Sequence, residues 1–474
     1  MIRLVVIGGG PGGYTAALEA ARRGAEVTLV SDEPLGGTCL WRGCIPTKTL
    51  RASAHVLDLV RRGGEFGLRT EGSTRPDPAG LRDRLTGVIG VQARGLEDLF
   101  KQNKIAVKQG RGRLSGPGRL TLRTEDGEDA LAYDRLIIAV GARAAAPPGL
   151  DIDGRGVWSS DHALELADIP GRLLVVGAGP VGAELAMIFR LLGSEVTLVE
   201  YFGRVLPLPG VDEDLSTTLL REMKKRRIKV TLNQRVAGLQ PDGQDGLTVR
   251  LAPAPGAAQA SKAGQVSVDR VLVAVGRRPN TFELGLETVG LSPNEAGWIE
   301  VNDSLETGVP GIYAVGDVLG PSRLMLAHAA SAEGQIAAQN ALGLSPPARL
   351  DYDQIPYAVF TFPEAAGVGL TEAQARERGM EIKTAVYHLR ALGRAQAEGE
   401  IAGLVKLIAA ADGGRLVGGH ICGAGAAEMI HEVAGALTLS ASAADLAAMV
   451  HAHPTMSEGL GECARLLADE PGGG

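Results

Sequence analysis

The chain has 474 residues, 45% hydrophobic and 22% charged, a globular composition and a length for about three domains of roughly 150 residues each, which excludes a disordered or fibrous protein. Lys and Arg number 48 against 55 Asp and Glu, a formal charge of −7, so the bulk charge repels polyanions and no nucleic acid is expected as a partner. No apolar run approaches the ~18 residues that cross a bilayer, and the first, Leu4 to Ile7, runs into glycines rather than a cleavage site; no membrane association and a cytoplasmic location are expected.

The stretch RLVVIGGGPGGYTAALEAARRGAEVTLVS reads as a buried strand, a glycine turn, a helix ending near Gly24 and a second strand, a βαβ unit. A segment LGGTCLWRGCIPTK follows. Beyond it come a polar, Pro/Gly-punctuated loop from Glu71 to Gly80, a helical pattern from Leu81 to Lys101, hairpin-like strands up to Tyr133 and the buried strand LIIAVGAR. The βαβ grammar then returns at RLLVVGAGPVGAELAMIFRLLGSEVTLVE, where Gly177, Gly179 and Gly182 repeat the spacing of Gly8, Gly10 and Gly13. VLVAVGRR closes this second unit as LIIAVGAR closes the first. The basic run Lys224 to Arg227 follows an amphipathic stretch and reads as a solvated helix end. Ala252 to Gly264 reads as a surface loop.

After Pro279 an apolar strand ends in Gly-Asp (GIYAVGDV), and a helical pattern runs from Met325 to about Leu342. This segment is placed back with the first domain. From about Asp351, strands and Ala-rich helices predict an α+β domain suited to an oligomer interface. The predicted fold is α/β, with two Rossmann-like nucleotide-binding domains and a C-terminal α+β dimerisation domain. Its expected boundaries are 1–150, 151–278, 279–348 (completing the first nucleotide site) and 349–474.

Each GxGxxG copy follows an apolar strand and opens a helix, the context in which glycines let backbone N–H groups approach a pyrophosphate. The second strand of the second copy ends in Glu200, about where a carboxylate takes the ribose hydroxyls and repels a 2′-phosphate, favouring NAD over NADP. The first copy has Ser31 there, followed by Asp32 and Glu33, which leaves its ribose contact open. Of the four cysteines, Cys422 and Cys463 stand apart, while Cys39 and Cys44 share a segment with Pro46 near the start of a following helix. A helix N-terminus lowers a thiol pKa, so this pair is expected to do redox chemistry; zinc lacks two further ligands, and no metal is expected. In HAHPTMSEGLGE, Pro454 holds His453 extended and Glu458 lies on a short helix. A carboxylate on one imidazole nitrogen frees the other as a base. A structural pairing is the competing reading, and His451 is assigned to it.

GGTCLWRGCIPTK, GAGPVGAELA, GIYAVGDV, MLAHAA, FTFPEAAGVGLTE and HAHPTMSE stand in an order that resembles the flavin-dependent pyridine nucleotide-disulfide oxidoreductases, and within them the dihydrolipoyl dehydrogenases. The resemblance covers essentially the whole chain. It implies an FAD site from Gly8, Gly10, Gly13, Thr38, Lys48, Gly112, Asp317, Met325, Leu326, Ala327 and His328. It implies an NAD site from Gly177, Gly179, Gly182, Glu200, Val236 and Gly276, with Glu184 paired to Lys48 beside the flavin ring. Cys44 is then the sulfur facing the flavin, Cys39 the one that meets the thiol substrate, and His453, oriented by Glu458, the base acting across a homodimer interface. Implied partners are lipoyl domains or a lipoyl carrier protein of a 2-oxoacid dehydrogenase or glycine-cleavage system. A related reductase with another substrate is the alternative, and a docking flavoprotein with an idle redox pair a third reading. Three residues depart from the family pattern: Trp41, Ser31 and Val140.

Overall fold

Leu4 to Ile7 are apolar without alternation, the pattern of a strand buried on both faces. They lie in the strand Arg3–Ile7 at the centre of a five-stranded parallel sheet, ordered Ile312–Ala314, Arg135–Ile138, Arg3–Ile7, Glu26–Ser31 and Ala106–Gln109. The computed structural model describes residues 1–69, 71–243, 245–256 and 263–469. The chain divides into two units, Met1–Thr49, Arg82–Ala145 and Gly276–Tyr352 in the first, and Leu50–Leu81, Ala146–Val275 and Asp353–Gly474 in the second.

In the first unit the helix Pro11–Arg22 packs on the helix Ala327–Ala341. Small residues make this approach possible: a Cβ on Gly334 would overlap the Gly12 carbonyl, and one on Gly12 would meet Val315 at 3.0 Å. The segment after Pro279 adds Ile312–Ala314 to the sheet edge beside Arg135–Ile138. The strands Arg111–Gly116, Arg119–Thr124 and Gly127–Ala132 form a separate antiparallel sheet. The long helix begins at Pro78, ahead of the predicted Leu81, and ends at Gln102.

The second unit repeats the parallel sheet with Lys229–Thr231, Glu195–Val199, Arg172–Val176, Arg270–Val273 and Val157–Trp158. Of the loop predicted from Ala252 to Gly264, the first two residues continue the strand Leu247–Pro253 and Gly264 opens the strand Gly264–Val268, while 257–262 lie outside the described residues. The same unit holds an antiparallel sheet ordered Tyr357–Val359, Glu364–Gly369, Leu416–Gly423, Leu404–Ala410 and Ile382–His388.

Along Leu404–Ala410, alternation sends Val405, Leu407 and Ala409 into a core shared with Ile430 and Val433 of the helix Ala426–Thr438 and Leu460 and Ala464 of the helix Glu458–Asp469. Lys406 faces the other way, yet it too is buried. Its ammonium meets Asp212 at 3.0 Å and Asp214 and Glu372 at 2.8 Å each. Asp212 caps the helix Glu213–Lys225 by accepting from Asp214 N–H, so this ion cluster seats that helix on the sheet face opposite the C-terminal helices.

Candidate active site

The two glycine turns have the same local geometry. Gly8 and Gly177 take φ of +107° and +99°, and a Cβ on either would overlap the carbonyl of Ala139 or Ala274. A Cβ on Gly13 or Gly182 would overlap the carbonyl of Gly8 or Gly177, so these glycines let helix and strand close up. Gly10 and Gly179 differ: each precedes a helix opened by proline, without a side-chain cap, and nothing lies within 4 Å of the place a Cβ would occupy. That open space over unspent N–H groups suits a pyrophosphate, so both sites fit a dinucleotide.

The cysteine segment lies against the first of these turns, since a Cβ on Gly37 would stand 2.7 Å from Gly10 Cα. Cys39 and Thr38 sit in a short helix, Gly37–Arg42, and Cys44 is the first residue of the helix Cys44–Arg61. Both cysteines are half-buried thiols. The Cys39 thiol is pushed well up, first by its hydrogen bond with Cys44, then by burial and by the charge on Cys44. Lys48 opposes that rise and lies one turn beyond Cys44. A negative charge is disfavoured on Cys39, while the helix N-terminus at Cys44 is where helix geometry favours one.

Tyr14 was not singled out by the sequence, yet its hydroxyl is pushed up by burial and by charge on both cysteines, and it bonds Ser331. Asp317 Oδ2 lies 3.2 Å from Arg277 Nε; burial pushes the Asp317 carboxyl up and the guanidinium opposes this. Behind it the fully buried Glu333 accepts Gly316 N–H at 2.6 Å and the Tyr352 hydroxyl at 2.7 Å. Met325 and Leu326 lead into the helix Ala327–Ala341, whose N-cap Leu326 leaves the first N–H groups without a side-chain partner, and His328 is exposed. Gly112 is buried, with a Cβ there 3.0 Å from Val30; sheet packing accounts for this glycine.

In the second unit Glu200 is 4% exposed and fixed from two sides, accepting Ala178 N–H at 2.6 Å and Phe202 N–H at 2.8 Å. It thus stands at the back of the Gly177–Gly179 turn, and each oxygen keeps a lone pair for a ribose hydroxyl. Val236 lines the core beneath this sheet. Gly276, assigned to the same site, falls in the first unit with φ +131°. Glu184 is buried and accepts Phe360 N–H at 2.9 Å.

Near the C-terminus His453 Nδ1 lies 2.8 Å from Glu458 Oε1, and Glu458 Oε2 accepts Thr455 N–H at 2.8 Å. Glu458 opens a helix of 12 residues, Glu458–Asp469, longer than expected. The two hydrogen bonds, from His453 first and Thr455 second, hold its carboxyl below the usual range. The His453 side chain is 77% exposed, whereas His451 is buried on Glu432 at 2.7 Å, the structural pairing assigned to it.

The departures each have a place. Ser31 is buried and accepts Glu33 N–H, and Glu33 pairs with Arg42. Val140 packs against the first core. The Trp41 indole is 37% exposed and donates to the Leu35 carbonyl at 2.9 Å, so it lies at the surface rather than in the core.

A family model described as pyridine nucleotide-disulphide oxidoreductase matches residues 2–334, and the dimerisation domain of the same family matches 355–464. The chain is 40% identical to a dihydrolipoyl dehydrogenase of Thermus scotoductus, over 98% of this chain and 97% of that one. Among solved structures it is similar to LpdA of Mycobacterium tuberculosis, with a TM-score of 0.89 at 28% identity over 98% and 100% of the two chains. It is also similar to the HOCl-induced flavoprotein disulfide reductase RclA of Escherichia coli as its Cu(II) complex, with a TM-score of 0.85 at 28% identity over 98% and 99%.

Proposed function

The chain belongs to the pyridine nucleotide-disulphide oxidoreductase family, and from that premise we propose that it oxidises protein-bound dihydrolipoamide to lipoamide and reduces NAD⁺, the reaction of a dihydrolipoyl dehydrogenase. One arrangement carries the reading: the segment of a hydrogen-bonded thiol pair, Cys39 and Cys44, lies against the first dinucleotide turn. The 40% identity to a dihydrolipoyl dehydrogenase along nearly the full chain supports it. FAD on the first turn would accept two electrons from the thiol pair, and NAD on the second would carry them away.

This chain's own residues account for the thiol chemistry. Glu458 holds Nδ1 of His453, leaving Nε2 to take the proton of a substrate thiol. In the oxidised form of the pair, where Cys39 and Cys44 are joined as a disulfide, the substrate thiolate attacks Cys39 Sγ, the Cys39–Cys44 bond breaks, and Cys44 leaves as thiolate, favoured by its helix N-terminus and by Lys48. The second substrate thiol then attacks the substrate sulfur of the mixed disulfide. Cyclic lipoyl disulfide is released and Cys39 takes up a proton, as its raised pKa favours. Two electrons have then moved from substrate to the cysteine pair.

The family's dimerisation domain makes the protein a homodimer. An imidazole exposed in a single chain is placed to serve the partner's cysteine pair, so each site would draw on both subunits. The lipoyl group is presented by a lipoyl domain or carrier protein of a 2-oxoacid dehydrogenase or glycine-cleavage system, in the cytoplasm. Steady-state assays of dihydrolipoamide and glutathione, each with NAD and NADP, test the reading: turnover of dihydrolipoamide with NAD is expected, and its absence rejects the substrate. The exposed Trp41, two residues beyond Cys39, favours one second reading, a disulfide reductase of the same family with another substrate.

A further inference from the structure

The peptide of Phe360 is held from both ends. Its N–H donates to Glu184 Oε1 at 2.9 Å, and its carbonyl accepts Arg51 Nε–H at 2.9 Å. Arg51 also donates to the Thr361 carbonyl at 3.2 Å, pairs with Glu364 at 2.9 Å, and lies 4.4 Å from the centre of the Phe362 ring. His55, one turn further, stacks on the same ring at 5.5 Å. All of these groups lie within the second unit. Arg51 and Glu184 reach this peptide from different helices, Cys44–Arg61 and Pro180–Leu192. Two turns separate Arg51 from Cys44, and seven residues at 100° each bring both onto one helical stripe.

We propose that Arg51 is a positioning residue that sets the orientation of the Glu184 carboxylate through the Phe360 peptide, and so tunes the nicotinamide half of the reaction from the helix that carries the redox cysteine. The inference rests on the reading that Glu184 belongs to the cofactor site. A guanidinium is suited to the task. Its planar fork meets two successive carbonyls and a carboxylate at once, whereas lysine offers a single point charge. Without the fork the Phe360 and Thr361 carbonyls each lose a donor, which loosens the peptide whose N–H bonds Glu184.

The test is a double-mutant cycle on the FAD-loaded full-length protein, using Arg51→Met, Arg51→Lys, Glu184→Gln and the double variant Arg51→Met/Glu184→Gln. The rate at which NADH bleaches the flavin is expected to fall about tenfold in Arg51→Met, equivalent to about 1.4 kcal/mol, and to be only partly restored in Arg51→Lys. The double variant should be no slower than Glu184→Gln, because the two residues act through one peptide. Bleaching by dihydrolipoamide should change less. Multiplicative losses in the double variant, or equal loss in both half-reactions, would overturn the proposal. Amide hydrogen exchange at Phe360 gives a readout independent of turnover: exchange should rise in both Arg51→Met and Glu184→Gln, and unchanged protection of Phe360 in Arg51→Met would also overturn it. Failure to oxidise dihydrolipoamide would reject the substrate reading alone, since the NADH and exchange arms do not use that substrate.

Discussion

Nδ1 of His453 lies 2.8 Å from Oε1 of Glu458, while the rest of that imidazole stands in the open. The carboxylate fixes the ring without burying it, as a base serving a neighbouring protomer requires. His453→Gln should therefore retain FAD and the long-wavelength absorbance of a thiolate beside the flavin, but lose dithiol oxidation by about 10²- to 10⁴-fold. Unchanged turnover would remove its role as base.

The pH dependence of that pair follows from Glu458. Its carboxyl is held low in the folded state by His453 and Thr455, so its contribution is fully present above the ordinary carboxylate value of about 4.3 and is lost only as pH falls through the lowered value. Glu458 is therefore ionised throughout pH 5 to 8, and Glu458→Gln should slow dithiol oxidation across that whole range while FAD content holds; unchanged turnover would separate the two residues.

The ion cluster at Lys406 should govern stability. Removing a buried partner strands the others, so Lys406→Met is expected to cost about 3–5 kcal/mol in denaturant titration, with part recovered in Lys406→Met/Asp212→Asn. Asp212 is held low, by the Lys406 and buried His420 charges acting against burial, and its stabilisation is lost as pH falls through the lowered value. Lys406 is pushed up by its carboxylates, and its share is lost only as pH rises past the ordinary lysine range. The Asp212 and Lys406 contributions are flat between these limits, whereas burial holds the His420 imidazole low, so stability should fall as pH drops below the ordinary imidazole range. A Lys406→Met chain as stable as the parent would contradict this account.

The glycine turns predict a split between neighbouring positions. Gly179→Ala meets no atom and should leave flavin content and melting temperature unchanged while weakening NAD binding in fluorescence titration. Gly182→Ala meets the Gly177 carbonyl and should destabilise by about 1–3 kcal/mol. Equal effects at both positions would argue against a pyrophosphate at Gly179.

Burial pushes the thiols of Cys422 and Cys463 up to about 12. After mild reduction at pH 8, iodoacetamide with peptide mapping should label the Cys39–Cys44 segment in the native protein and reach Cys422 and Cys463 only after denaturation. Native labelling of Cys463 would show that the C-terminal core opens readily.

Much of the site was legible because its signals are local. Strand, glycine turn and helix follow one another in the chain, so the Gly8 and Gly177 turns declared themselves twice, and Cys39 with Cys44 could be read as a pair from their spacing. Spacing could not say which sulfur the helix end favours: Cys44 is the first residue of its helix, while Cys39 lies in the short helix before it. Arg51, Phe360 and Glu364 were not found, because an arginine seven residues past a cysteine carries no mark of the carbonyls it meets about 310 positions later.

Periodicity and turn chemistry act over a few residues, and they were enough to read two dinucleotide turns, a closely spaced cysteine pair and a histidine with its carboxylate. Folding alone settled which distant groups became neighbours: Ile312–Ala314 at the edge of the first sheet, Asp212 on Lys406, Arg51 and Glu184 at one peptide. The reason is physical. A buried charge or carbonyl is tolerated only where some partner meets it, and that partner is chosen by how sheets and helices stack, whatever its distance along the chain.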